Sequence, residues 1–100
     1  MSYFHAAVVR YELHIGSVSS LKGKRSHLKP IVEGLRHRFQ VSVAEIDHQD
    51  QWQRATVGVA VVASSHTQLT DVLDSVDRFV WSHPDVDVLV AERTWVDAEG

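Results

Sequence analysis

A chain of 100 residues with 44% hydrophobic and 23% charged side chains has the composition of one globular domain, which excludes a largely disordered chain. The absence of cysteine excludes disulfides, iron–sulfur clusters, thiolate zinc sites and a cysteine nucleophile. The N-terminus lacks a signal-peptide pattern, and the longest apolar run, residues 57–63, is far shorter than the roughly 20 residues of a membrane-spanning helix. We therefore expect a cytoplasmic protein with no membrane partner and a single domain over residues 1–100.

Charge is distributed unevenly along the chain, whose net charge is −3. Residues 22–38 hold six of the ten cations and one of the thirteen acids, a net charge of +5. The remainder of the chain carries −8. A partner could therefore meet a basic surface on an acidic protein.

The first half of the chain predicts a strand followed by a helix. Apolar and polar residues alternate over residues 3–15, which is typical of a half-buried strand. Residues 16–20 form a loop that supplies serine hydroxyls for a helix cap. The following segment has helical period through Phe39 and contains Pro30, which predicts either a kink or a break into two shorter helices.

The second half predicts a hairpin, a helix and a last strand. Residues 41–48 and 52–63 are rich in β-branched residues and are joined by a short polar loop without glycine. Ser65 and Gln68 have capping-box spacing at the start of a helix that runs to Trp81. Residues 86–96 form the final strand. The order β-α-β-β-α-β predicts an α+β, ferredoxin-like fold, a four-stranded antiparallel sheet with both helices on one face and the third strand inside the sheet.

A basic stripe on the first helix is the main candidate binding surface. Its members fall within about 60° on the helical wheel and span about 21 Å of the axis: Lys22, Arg25, Lys29 and Arg36. Cations beside the free N–H groups of a helix start favour anions, so the stripe predicts contacts with nucleic-acid phosphates, supported by Lys24 and Arg38. The alternative is a solvated face partly neutralised by acids of the second helix: Asp71, Asp74 and Asp77. The wheel also places Lys24 near the apolar stripe, which predicts that its aliphatic stem covers the sheet edge while its charge stays in water.

The sheet face without helices is a second candidate surface. Alternation along the strands leaves it partly apolar, and a partly apolar open face is often closed by self-association. We expect a homo-oligomer, most simply a dimer. The candidate interface residues are Val8, Ala60, Val62, Leu89, Arg93 and Trp95.

Known catalytic and cofactor motifs are missing from the sequence. The seven histidines lack metal-site spacing, and neither a glycine-rich phosphate loop nor a serine nucleophile motif occurs. We therefore expect no catalytic residues, no metal and no cofactor.

Base stacking of the RNA-recognition-motif type is disfavoured because residues 55–63 contain no aromatic. The acylphosphatase pattern needs an arginine in the loop over residues 16–20, which has none. A small phosphate-handling enzyme built on residues 19–25 stays a less favoured alternative.

The segment Ser20-Leu21-Lys22-Gly23-Lys24-Arg25 and the runs 41–45 and 50–55 resemble the YlxP-like bacterial proteins, a domain family of unknown function. The resemblance covers nearly the whole chain and implies the ferredoxin-like fold and a bacterial cytoplasmic protein with a connection to RNA or the ribosome. It implies no catalytic residue, and Gly23 and Pro30 depart from the good helix formers expected there. Our first hypothesis is a non-enzymatic binding module for RNA or the ribosome; the second is a self-associating protein-interaction module.

Overall fold

Six elements follow one another in the predicted order. The computed structural model describes the backbone of residues 3–99 and the side chains of residues 4–96. The elements are β1 (Tyr3–Ile15), α1 (Leu21–Phe39), β2 (Ser42–Asp47), β3 (Arg54–Ala63), α2 (His66–Trp81) and β4 (Val86–Glu99). Within the described residues, neither helix has a stretch long and apolar enough to cross a membrane.

The four strands form one antiparallel sheet in the order β2-β3-β1-β4. The predicted ferredoxin-like fold is confirmed, including the interior position of β3. Val9 of β1 pairs with Val59 of β3 on one side and with Arg93 of β4 on the other, so β1 is paired along both edges in the middle of the sheet. Alternate residues of β1 and β3 are fully buried under the helices, which packs both helices on one face and leaves the other face open.

Helix α1 continues through Pro30 as one helix, so of the two predicted outcomes the break into two shorter helices is wrong. It begins at Ser20, whose Oγ accepts a hydrogen bond of 3.0 Å from the backbone N–H of Gly23. Proline removes one hydrogen bond, but its fixed φ suits a helix. Buried side chains on both sides of it, Leu28 and Ile31, hold the two halves on the same core. The helix ends at Gln40, which adopts a left-handed conformation with φ of 53°.

Helix α2 is capped at Ser65, as predicted. The Ser65 Oγ accepts from the backbone N–H of Gln68 at 3.1 Å. In a capping box the side chain of Gln68 would accept a hydrogen bond from the backbone N–H of Ser65. Here the Gln68 carboxamide oxygen accepts instead from the hydroxyl of the preceding residue, Ser64, at 2.9 Å.

Strand β4 is longer than predicted and contains an irregularity. It extends to Glu99 because β1 pairs with it from Tyr3 onward. Glu12 pairs with Val90 and the next residue, Leu13, pairs with Val88, so Leu89 is an extra residue in β4. A bulge of this kind changes the alternation of side chains between the two faces.

Candidate functional site

The predicted basic stripe is present on the outer surface of α1. Its four members are exposed: Lys22, Arg25, Lys29 and Arg36. The last three also line a shallow groove between α1 and the edge strand β2, whose apolar part is formed by Leu28 and Val32. The stripe therefore borders a concave surface as well as a convex helix face.

The cations of the stripe differ in whether they already have a partner within the protein. Lys29 Nζ lies 3.9 Å from a carboxylate oxygen of Glu33, one turn along the helix. Arg36 Nη2 donates to the backbone carbonyl of Val43 at 2.8 Å, which holds its guanidinium against the edge of β2. Lys22 and Arg25 have no carboxylate within 4 Å among the described side chains. Since the first turn of α1 contains no acidic residue, its positive dipole end adds to these two charges.

The acids of α2 form no ion pair with the stripe among the described side chains, so the predicted partial neutralisation by α2 is wrong, while the stripe is solvent-exposed as that alternative also expected. Asp74 and Asp77 each accept a hydrogen bond of 2.8 Å from Arg93 of β4. Asp77 also accepts from the buried hydroxyl of Tyr11 in β1. Asp71 makes no ion pair among the described side chains. Asp74 and Asp77 thus hold α2 to the sheet at β4 and β1.

Burial and charge shift the pKa values inside this junction. Burial, together with the hydrogen bond to Asp77, raises the pKa of Tyr11 far above its ordinary value. Burial alone would lower the pKa of Arg93, but its hydrogen bonds to Asp74 and Asp77 outweigh that effect and raise it. Tyr11 therefore stays protonated and Arg93 stays charged at neutral pH, and the hydrogen bonds between them and α2 tie β1 and β4 to the helix.

Lys24 does not belong to the exposed stripe. Its side chain is 2% exposed, and its Nζ lies 2.7 Å from Glu45 Oε2 and donates to the backbone carbonyl of His48 at 2.7 Å. The prediction that its charge stays in water is wrong, because Glu45 of β2 and the hairpin loop supply partners beneath the helix. Arg38 also lies elsewhere, about 160° around the helix from Lys22. Its guanidinium carbon is 5.1 Å from the ring centre of Phe79.

The six predicted interface residues do not share one surface. Val8, Ala60 and Val62 are exposed on the open sheet face. Arg93 pairs with the buried Val9, which places it on the helix face.

Trp95 likewise pairs with the buried Ala7, and its ring lies 5.4 Å from that of His66 in α2. Leu89 is the extra residue of the bulge. The prediction of a single surface is wrong because β4 is apolar at successive positions, so alternation could not assign its faces.

A charged cluster at one end of the open face was missed by the sequence analysis. The Glu12 carboxylate accepts from Arg10 Nη1 at 2.7 Å, Thr56 Oγ1 at 2.9 Å and Arg54 Nη2 at 3.4 Å. His48 Nε2 lies 3.7 Å from it. Burial opposes ionisation, but the hydrogen bonds from Thr56, Arg10 and Arg54 hold the pKa of Glu12 below its usual value. The charged residues of β1 were visible in the sequence; their partners on β3 were not.

Replacing Glu12 with glutamine is expected to lower the free energy of unfolding by about 1–2 kcal/mol at pH 7. The pKa of the folded carboxyl lies below the unfolded value of 4.5, so this contribution is present above pH 4.5 and is lost as pH falls through the folded pKa. Urea unfolding of both proteins from pH 7 down to pH 3 measures the difference. A difference that stays constant over that range would contradict the assignment.

The chain was also compared with known proteins. A family model described as "Protein of unknown function (DUF503)" matches residues 6–93. The uncharacterized protein YlxP of Bacillus subtilis (strain 168) is 38% identical over 84 residues, which cover 84% of this chain and 91% of the relative.

The chain belongs to the DUF503 family. The resemblance to YlxP-like bacterial proteins is thereby confirmed. Neither the family description nor the relative's name assigns an activity.

Proposed function

We propose that the protein is a non-catalytic binding module of the bacterial cytoplasm that contacts the phosphates of structured RNA, such as ribosomal RNA, through the basic stripe of α1. The observation that carries the proposal is the state of Lys22 and Arg25. Both are exposed at the positive end of α1 without a carboxylate within 4 Å among the described side chains, and Arg93 holds two of the three acids of α2, Asp74 and Asp77. Free cations at a helix N-terminus favour anionic ligands.

The length and character of the surface support a backbone ligand. Fourteen residues separate Lys22 from Arg36, about 21 Å along the helix, so the stripe can reach several successive phosphates of one strand. The groove beside it is partly apolar and is lined by three of the four cations. Contacts to phosphates determine affinity and orientation without selecting a sequence, so we expect binding to many structured RNAs.

Replacing Lys22 and Arg25 together with glutamine is expected to weaken RNA binding at every sequence tested. Four neutralised phosphates correspond to a log–log salt slope of about −3 to −4, and the double variant should flatten it by about 1.4–1.8. Fluorescence anisotropy of a labelled RNA hairpin, titrated at several salt concentrations, measures both effects. Folding should be unaffected, because both side chains are exposed and their removal relieves an unfavourable interaction with the helix dipole.

The matched control is the double variant Arg38→Gln and Arg78→Gln. It removes the same net charge from exposed positions that lie off the stripe, so it should leave the salt slope nearly unchanged. Glu33→Gln should act in the opposite direction and strengthen binding, since Glu33 lines the groove and faces Lys29. The proposal fails if the wild-type protein binds no RNA at low salt. It also fails if the two double variants weaken binding equally.

A further inference from the structure

The open sheet face carries a continuous apolar area that no described part of the chain covers. Its exposed side chains come from both central strands and from β4: Phe4, Val8, Val62 and Val96. Val62 is the most prominent, with 72% of its surface exposed. Isolated apolar side chains are ordinary on protein surfaces, but a patch formed by neighbouring strands marks an interaction site.

A hollow lies next to the prominent Val62. Small residues of the edge and central strands form its floor, Ala44, Gly58 and Ala60, and the side chains of Val8 and Ile46 form its walls. A Cβ at position 58 would lie 3.3 Å from Ile46 Cδ1, so glycine allows Ile46 to lie close over the strand. The face therefore offers both a projection and a depression, within four residues of each other on β3.

The area of the face suits a dimer of this chain. With strands about 4.8 Å apart and a rise of about 3.3 Å per residue, nine residues each of β1, β3 and β4 and the six of β2 give about 500 Å² per copy. Two such faces bury about 1,000 Å², the size that a specific interface has to reach. Charged side chains lie toward one end of the face, where Arg10 and Glu92 are 3.8 Å apart and balance each other. Arg10 and Glu92 lie one pair of residues from Val8, so the interface would bury them as two members of an ion pair and not as single charges.

We propose that a second copy of this chain packs on the open face in a two-fold dimer, with Val62 of each copy in the hollow of the other. A two-fold axis that crosses β3 near Ala60 relates position 62 of one copy to position 58 of the other, as a self-complementary interface requires. The result is two sheets packed face to face. The stripe of α1 lies on the opposite side of each sheet and stays exposed, so this proposal is independent of RNA binding.

Replacing Val62 with lysine is expected to weaken dimerisation at least 100-fold, because the dimer would bury two unpaired charges. Sedimentation velocity from about 1 to 100 μM should show a wild-type dimer and a monomeric variant. Since Val62 is mostly exposed in the isolated chain, the variant should keep its circular dichroism spectrum. Trp81→Lys is the matched control, an exposed apolar residue of α2 away from the open face, and should remain dimeric.

A second variant, Ala60→Glu, places a charge at the expected axis and should also give monomers, so the test does not depend on Val62→Lys alone. A wild-type protein that is monomeric at 100 μM would overturn the proposal. A dimer that survives both substitutions on the face would overturn it as well, because its interface would lie elsewhere.

Discussion

Replacing Lys24 with methionine is expected to lower the free energy of unfolding by about 2–4 kcal/mol, the largest effect of any single charge in α1. The Lys24 side chain is 2% exposed, and its ammonium group joins α1 to Glu45 of β2 and to the carbonyl of His48 in the hairpin loop. Methionine retains the length and apolar character of the side chain, so packing is largely preserved. The loss would come from a carboxylate and a carbonyl left without their partner.

Urea unfolding of Lys24→Met beside Lys22→Met provides the comparison. Lys22 is exposed two residues away in the same helix, and its replacement should change stability by less than about 0.5 kcal/mol. The double variant Lys24→Met and Glu45→Gln should recover part of the loss, because it removes the unpaired carboxylate. Equal effects of the two single lysine replacements would show that Lys24 is not buried in an ion pair.

Replacing Gly34 with alanine is expected to destabilise the protein by about 1–3 kcal/mol, the cost of overpacking. Helix propensity alone predicts the opposite, since alanine is favoured over glycine by about 1 kcal/mol inside a helix. A Cβ at position 34 would overlap the ring of Phe79, where α1 and α2 approach each other. The ring cannot easily move aside, because it packs against Phe39 at 5.8 Å and against His83 at 4.8 Å.

The same substitution in a Phe79→Leu background tests this explanation. Leucine lacks the distal ring atoms that the new Cβ would meet, so Gly34→Ala should become neutral or stabilising there, by up to about 1 kcal/mol. Thermal unfolding of the four proteins completes a double-mutant cycle. If Gly34→Ala stabilises the protein with Phe79 in place, the close approach of the helices is not as described.

The sequence by itself determined the order of the elements and most of their ends. The alternation over residues 3–15 and the helical stripes are local patterns. An apolar residue at every second position indicates a half-buried strand, and an apolar residue at every third or fourth position indicates a helix with one buried face. Ser65 caps α2 through a bond to a residue three positions along the chain, a spacing that the sequence shows. For α1 the sequence located the cap only among the serines of residues 16–20, of which Ser20 makes the bond. The interior position of β3 followed from its apolar composition, because only a central strand is covered along both edges.

The sequence also located the four exposed cations of the stripe, since their helical spacing fixes a common face. It could not decide which of the neighbouring charges are available. Lys24 differs from Lys22 because Glu45, twenty-one residues away, comes under the helix when β2 pairs with β3.

Only the tertiary structure decided the remaining partners and faces. From the sequence, Asp74 and Asp77 could have paired with cations of α1 or of β4. In the folded chain Arg93 of β4 lies beside them and donates a hydrogen bond to each. The extra residue Leu89 shifts the register of β4, which is apolar at successive positions, so its two faces are set by pairing with β1. Contacts between residues far apart in sequence leave no repeating pattern in the sequence. They form where strand pairing, burial of apolar side chains and opposite charges all favour the same arrangement.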